Sequence, residues 1–398
     1  MHPADEIRGV KSKRLSNKKI ILAITGSIAA VETVKFSREL IRHGAEVIPV
    51  MSKSATKIIH PDSLWFATGN KPIIELSGKT EHVFYCGRVK DKADLLIIFP
   101  CTANTISKIA HGIDDTSVTT FATTAIGSKI PIIIAPAMHI SMYDHKIIQN
   151  NISICKKNGI MFVDPKIKDN KAKIADIDEI VSNIFREIGK KDLKDKKILI
   201  IGGPASEPID DVRLISNRSS GKTAVLIAKN AFYRGADVTL WYGLGKEKSP
   251  NYIKTINFES IKDVEKLLKI NDIKTFHAII VCAALSDYIP KKIRGKISSG
   301  KQKLVIDLSS APKIVSLLRT KAKNSILIGF KVEADKSKIK EKAKILLKKN
   351  KLDYVIGNLI SGFEKDDNEI WIIDKSGKSF HKKDKKEILS NHILDLVK

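Results

Sequence analysis

The sequence predicts an α/β protein of two doubly wound, largely parallel-sheet domains. Three observations predict it. Apolar runs of strand length alternate with amphipathic stretches, the pattern of a parallel sheet covered by helices on both faces. The alternation stops once, in the charged segment 189–197 (GKKDLKDKK), and then restarts. The chain has 398 residues, more than one domain of about 150 residues accounts for.

In chain order, residues 19–25 (KIILAIT) read as a buried strand, Gly26-Ser27 as a tight turn, and residues 28–43 as a helix closed by Gly44. Further strands are expected at 46–51 (EVIPVM), 94–99 (DLLIIF) and 130–135 (IPIIIA), each followed by a polar loop and helical spacing. The second half restarts at 198–203 (ILIIGG) and continues with strands at 238–242, 278–283 (AIIVCA), 325–330 and 353–356. Residues 370–373 (IWII) fit an edge strand or a hairpin. No fixed-period repeat is present. The expected division is a Rossmann-like domain over 1–189, a linker over 190–197 and a second Rossmann-like domain over 198–398.

Composition narrows the function. Hydrophobic residues make up 43% and charged residues 29%, a balance that excludes wholesale disorder. The four cysteines, Cys86, Cys101, Cys155 and Cys282, form no CxxC pair; this argues against a disulfide framework or structural zinc and fits a reducing compartment. No apolar run approaches the roughly 18 residues that span a bilayer, and residues 1–17 carry no apolar signal-peptide core. A cytoplasmic protein away from membranes is expected. Lys plus Arg number 70 against 44 Asp plus Glu, a net charge of +26. Nucleic-acid modules interleave aromatics with their basic residues, whereas aromatics are only 6% here. Anionic small substrates, or a general lysine richness, are the better readings, and no nucleic-acid partner is expected.

In open α/β sheets, ligands bind beyond the carboxyl ends of the strands. The first such end, residues 25–30 (TGSIAA), lacks GxGxxG. It offers a glycine turn, a hydroxyl and a helix start that suit one phosphate, but it equally fits an ordinary turn capped by Ser27. The next ends read MSKSA (51–55), PCTANT (100–105) and PAMHISMY (136–143). Four strand ends with small, hydroxyl or amide groups together favour a mononucleotide site.

These segments, with PCTANTISKIAHGIDD over 100–115, resemble the homo-oligomeric flavin-containing cysteine decarboxylases, whose pattern runs GSIAA, MTxSA, PATANTxxKxAxGxxD and PAMNxxMW. The resemblance implies a flavodoxin-like domain holding FMN through Gly26, Ser27, Ile28, Ser52, Ser54, Thr102, Ala103 and Asn104, with substrate at Met138 and His139. It implies that His82, in the segment Thr80-Glu81-His82-Val83, is the catalytic histidine, managing a proton near neutral pH. Two departures stand out. His139 replaces the family's Asn, and the stretch matching the family's cysteine-bearing flap, 164–176 (DPKIKDNKAKIAD), has no cysteine. Cys155, Cys101, another residue or water is left to supply that proton. The implied chemistry is oxidation of a cysteinyl side chain by hydride transfer to flavin, loss of CO₂ to an enethiolate, and return of the hydride.

The second half carries GPASEPIDDVRLISNRSSGK (203–222), AALSDY (283–288), KISS (296–299), APKI (311–314), GFKVE (329–333) and DYVIGN (353–358). A Ser-Ser-Gly-Lys run before a helix holds phosphate through backbone N–H groups, or is merely a capped helix start; it is not a Walker A loop. These motifs resemble phosphopantothenate–cysteine ligases. The resemblance implies catalytic Asn217 and Lys296, with Lys291, Lys292 or Lys301 able to share the latter's role. It also implies substrate and nucleotide contacts at Ser219, Ser220, Gly221, Lys222, Ala283, Asp287 and Phe330, and Mg²⁺ at Asp287. The implied reaction activates a carboxylate with CTP as an acyl-cytidylate, which cysteine then attacks.

Both halves in one chain imply two successive steps of coenzyme A biosynthesis on 4′-phosphopantothenate, cysteine and CTP, in a homo-oligomer of trimeric decarboxylase units and dimeric ligase domains. The rival readings are a flavin-dependent decarboxylase of another cysteine-containing substrate and a nucleic-acid-binding regulatory flavoprotein.

Overall fold

Strand β1, Lys19–Ile24, is buried from its second residue onward because each of its side chains there is apolar. It starts a five-stranded sheet with β2 (Glu46–Met51), β3 (Leu95–Cys101), β4 (Ile132–Pro136) and the short β5 (Met161–Phe162). All pairs are parallel, and the spatial order is β2-β1-β3-β4-β5. This is the flavodoxin-like order, in which the winding reverses between β1 and β3. Helices such as Thr33–Arg42 and Ser117–Gly127 cover the sheet. The computed structural model describes residues 2–168, 171–300, 302–362 and 365–398.

The expected helix over 28–43 is split. Residues Ile28–Glu32 form a 3₁₀ turn, and the α-helix begins only at Thr33. Ser27 spends its hydroxyl on the Ala137 carbonyl, 3.3 Å away but distant in sequence, instead of capping the helix.

The second sheet comprises β6 (Lys197–Gly202), β7 (Asp237–Tyr242), β8 (Lys254–Asn257), β9 (Ala278–Val281), β10 (Ile326–Glu333), β11 (Tyr354–Leu359), β12 (Asp367–Asp374) and β13 (Ser379–Lys385). Its order is β8-β7-β6-β9-β10-β11-β12-β13. The first six strands are parallel, in the arrangement of a dinucleotide-type fold, and the last two are an antiparallel hairpin. The apolar run 370–373 therefore lies inside a hairpin strand, one position in from the edge. Two apolar clusters, one around Ile198, Ile200 and Leu240 and the other around Leu199, Trp241 and Ile279, pack the two faces. Short antiparallel ribbons, Ser206–Pro208 with Leu214–Ser216 and Tyr288–Pro290 with Leu308–Ser310, stand outside the sheet.

The chain divides into two compact units, Met1–Gly189 and Lys190–Lys398. The charged stretch after Gly189 is packed onto the second unit. Leu193 is fully buried and its N–H donates to the Arg234 carbonyl at 3.0 Å. Asp192 takes a two-pronged contact from the Arg234 guanidinium, 2.9 Å on each prong. The charges that resemble a solvated linker in the sequence are used as docking partners. Among the described residues, no helix is long and apolar enough to cross a membrane.

Candidate functional site

In the first unit, four strand-end loops meet where the winding reverses. Thr25 ties two of them: its buried Oγ1 donates to the Pro100 carbonyl at 2.8 Å and accepts the Thr102 N–H at 3.0 Å. The Ser52 N–H donates to the Ile24 carbonyl and the Ala137 N–H to that of Cys101, both at 3.0 Å. Gly26 is needed at this crossing, because a Cβ there would lie 2.6 Å from the Ser54 Cβ. The sequence-predicted residues Gly26, Ser27, Ile28, Ser52, Ser54, Thr102, Ala103, Asn104, Met138 and His139 all lie at this one edge of the sheet.

A cleft of about 790 Å³ opens there. Ser27, Ile28, Met138 and His139 line it; Ser52, Ser54, Thr102, Ala103 and Asn104 sit at the same edge without forming its wall. Thr102 instead caps helix Ala103–Ala110, accepting the Thr105 N–H. The wall suits a flavin. Ile28, 77% exposed, and Met138 offer apolar surface to a flat ring, Ser27 offers a hydroxyl, and the volume is that of a cofactor site.

The flap stretch is a hairpin, Lys166–Lys168 with Lys171–Lys173, laid antiparallel against Met138–His139. The tip residues Asp169 and Asn170 lie outside the described residues. Lys173 and residues 174–177 complete the cleft wall, together with Glu32 and Lys35. None of these was singled out from the sequence: lysine-rich flap residues look like any solvated loop. His139 accepts the Ser141 N–H at Nδ1, with the Ser141 hydroxyl 2.7 Å from the same nitrogen. That arrangement leaves its proton on Nε2.

His82 sits on the short helix Glu81–Cys86, half-buried, with Nδ1 buried and without a partner among the described residues. It is not part of the cleft wall of its own chain. The cysteines offered as proton sources are not there either. Cys155 is buried in the core, its thiol donating to the Ile106 carbonyl, and burial pushes its pKa up to about 11. Cys101 is buried at the end of β3, and burial raises its thiol pKa well above the usual range.

In the second unit, the winding reverses between β6 and β9, and the loops after both strands build a second site. The amide Nδ2 of Asn217 donates to the Ala284 carbonyl at 2.9 Å, pinning the 214–217 ribbon to the end of β9. Ser216 reinforces this through the Ala205 carbonyl at 3.0 Å. A smaller pocket, about 110 Å³, is lined by the predicted Ser219, Ser220, Gly221, Lys222, Ala283 and Phe330. Gly221 has φ +80°, and a Cβ there would fall 2.0 Å from the Tyr242 hydroxyl, so the turn into helix Lys222–Tyr233 requires glycine. Asn358, of the DYVIGN motif, lines the same pocket with its Oδ1 buried and unpartnered among the described residues. Asn368 and Lys386 also line it and were missed, lying among polar and lysine-rich neighbours.

Asn217 is not itself part of this wall, although its partner Ala284 is, and Lys291, Lys292, Lys296 and Asp287 lie outside the wall as well. Lys296 is exposed on a loop fastened to the 209–213 segment, where the Gly295 and Ile297 N–H groups donate to Asp211 and Asp210 at 2.7 and 3.0 Å. The Ile297 N–H foremost, with those of Val212 and Arg213 and the Arg213 guanidinium, holds the Asp210 carboxyl well below the usual carboxylate range. Lys301 lies outside the described residues. Asp287, assigned a magnesium ion from sequence, is exposed and paired with Lys313 at 2.6 Å. Among the described residues no three His, Cys, Asp or Glu side chains form a metal-holding group, so the chain offers no magnesium cage of its own there.

Two family models match this chain. Residues 9–189 match the family model described as Flavoprotein, and residues 193–398 the model described as the DNA/pantothenate metabolism flavoprotein C-terminal domain. The coenzyme A biosynthesis bifunctional protein CoaBC of Thermococcus kodakarensis is 44% identical, over 96% of this chain and 94% of its own. That of Methanocaldococcus jannaschii is 40% identical, over 100% and 98%. A crystal structure of the C-terminal domain of a CoaBC protein superposes with a TM-score of 0.45 at 28% identity, covering 52% of this chain and 96% of that one.

Proposed function

The chain belongs to the coenzyme A biosynthesis bifunctional protein family, and from that premise we propose how its two units divide the work. It is a two-step enzyme: a ligase joins 4′-phosphopantothenate to cysteine, and a flavin-dependent decarboxylase converts 4′-phosphopantothenoylcysteine to 4′-phosphopantetheine. The observation that carries the division is that each unit gathers its own set of strand-end loops at its own winding reversal. The decarboxylase is residues 1–189 and the ligase 198–398, in a cytoplasmic enzyme.

In the first unit the cofactor is FMN. When bound, it supplies a hydride acceptor for the cysteinyl side chain and later returns the hydride. Ile28 and Met138 hold its ring, and Ser27 together with the Gly26 turn holds its phosphate end. The Nε2–H of His139 donates a hydrogen bond to the substrate carboxylate. His82 gives or takes the proton of the reaction through its imidazole. It shares its helix with the exposed Val83 and Phe84. That apolar face is what a second copy of the chain would cover, and the trimeric decarboxylase units of a homo-oligomer rest on it; the dimeric ligase domains rest on the family resemblance.

In the second unit a carboxylate, a poor acyl donor, is activated by CTP. One Asn217 N–H is committed to Ala284, which fixes the amide and leaves its second N–H and its oxygen for the acyl-cytidylate. The backbone N–H groups at the start of helix Lys222–Tyr233 face phosphate oxygens. Lys296 swings in with the nucleotide from its exposed loop. Asp287, exposed and paired with Lys313, would be the carboxylate available to a Mg²⁺ carried by the polyphosphate, which would offset phosphate charge.

The test is direct. The purified protein should be yellow and release FMN on denaturation. With CTP, 4′-phosphopantothenate and cysteine it should yield pyrophosphate and then CO₂. A colourless protein that cannot be reconstituted with FMN rules out the first assignment; pyrophosphate release from ATP but not CTP corrects the second.

A further inference from the structure

We propose that Lys386 is a phosphate-binding residue of the second pocket, a largely buried lysine whose ammonium meets an oxyanion of either the nucleotide polyphosphate or the 4′-phosphopantothenate phosphate. The proposal rests on the ligase reading and deepens it.

Lys386 is the first residue of helix Lys386–Leu394 and only 6% exposed. Lysine is almost never buried unless it is paired. Yet among the described residues the Lys386 Nζ has no hydrogen-bond or ion-pair partner. Its position is not accidental slack, since its backbone N–H donates to the Asp366 carbonyl at 2.8 Å. The contrast with the other cation in the wall is instructive. Lys222 is ion-paired with the Asp366 carboxylate and is more exposed; Lys386 makes no such contact and feels Asp366 and Asp367 only at longer range.

What faces Lys386 fits an anion. The described wall of the pocket contains two lysines and no carboxylate. It contains the N-terminus of the twelve-residue helix Lys222–Tyr233, which carries partial positive charge and free N–H groups. Asn358, itself 6% exposed, lines it too; its unpartnered atom is the acceptor Oδ1, which meets a donor group elsewhere on the ligand rather than the oxyanion. Burial, reinforced by Lys222, holds the Lys386 pKa below the usual lysine value; an arriving oxyanion offsets that penalty. The volume of about 110 Å³ admits a phosphate group but not a whole nucleotide. A lysine kept buried solely for packing would cost less as an apolar side chain of similar length.

The experiment uses the full chain with Lys386→Met and Lys386→Arg. Calorimetric titrations of CTP alone and of 4′-phosphopantothenate alone give Kd for each, and thermal unfolding is followed without ligand. Loss of a charge-assisted hydrogen bond should weaken one or both ligands about tenfold to a hundredfold in Lys386→Met, and the ligand that weakens names the source of the phosphate. Lys386→Arg should keep most of the affinity. The unliganded Met variant should unfold at the same or a higher temperature, because an unpaired buried charge is gone. A Met variant that binds both ligands as tightly as the parent overturns the proposal. So does one that fails to fold, which would make the lysine structural. If the parent itself binds neither ligand, the ligase reading fails first.

Discussion

The two strand-end sites obey one architectural rule and differ in nearly everything else. Each sits where the winding of its sheet reverses, between β1 and β3 in the first unit and between β6 and β9 in the second. The first is a cleft of about 790 Å³ with exposed apolar side chains in its wall; the second is a pocket of about 110 Å³ with two lysines and a helix start. Their wiring differs too. The first is tied together by one hydroxyl, that of Thr25, and by main-chain bonds between strand ends, the second by the side chains of Asn217, Ser216 and Asp210. A flat conjugated ring needs space and apolar walls, whereas a phosphate needs N–H groups and a cation. The fold supplies the place and the loops supply the chemistry.

The comparison breaks most visibly at His82. His82→Asn keeps a hydrogen-bonding group but removes the titrating imidazole. CO₂ release should fall ~10²–10⁴-fold, with FMN retained and pyrophosphate release unchanged; a flavin-free variant would show that His82 acts by holding the fold. Asn217→Asp is the counterpart in the second unit. A carboxylate cannot donate to Ala284, and it faces a phosphate-bearing intermediate. Ligation should drop by roughly ten- to a hundredfold, while decarboxylation of supplied 4′-phosphopantothenoylcysteine continues. Gly221→Ala sharpens the steric argument. A Cβ at φ +80° against Tyr242 should destabilise the second unit by roughly 1–3 kcal/mol, read as a lowered unfolding transition with the flavin-bound transition in place. The smallest effect belongs to Cys155→Ser. Its thiol is buried and bonded to Ile106, so the ratio of reduced to oxidised product should not move. Accumulation of oxidised product in that variant would return Cys155 to the reaction.

The sheets were legible where side chains are uniformly apolar. Residues 47–51 and 238–242 read as strands because their whole runs are buried in parallel pairing. Lys254–Asn257 did not, since an edge strand half open to solvent carries Lys, Thr and Asn; Met161–Phe162 is too short to show a period. The helix start at 28 was misjudged because the partner of Ser27, Ala137, is 110 residues away, and no local pattern reports it. The site divides the same way. Gly221, Ser219 and Asn217 stand in a recognisable motif, whereas Lys386 sits in a run of lysines at 382–386, where nothing but burial separates it from its neighbours. Lys173 is hidden for the same reason in the flap hairpin.

If the two sites share only a diffusing intermediate, two crippled chains should repair one another. His82→Asn protein and Asn217→Asp protein, each unable to carry 4′-phosphopantothenate, cysteine and CTP through to 4′-phosphopantetheine, are mixed and CO₂ release is measured. The expected result is recovery of the overall reaction, with free 4′-phosphopantothenoylcysteine detectable as it passes from one chain to the other. A mixture that stays inactive while each variant keeps its one surviving half-reaction would contradict the independence of the two sites.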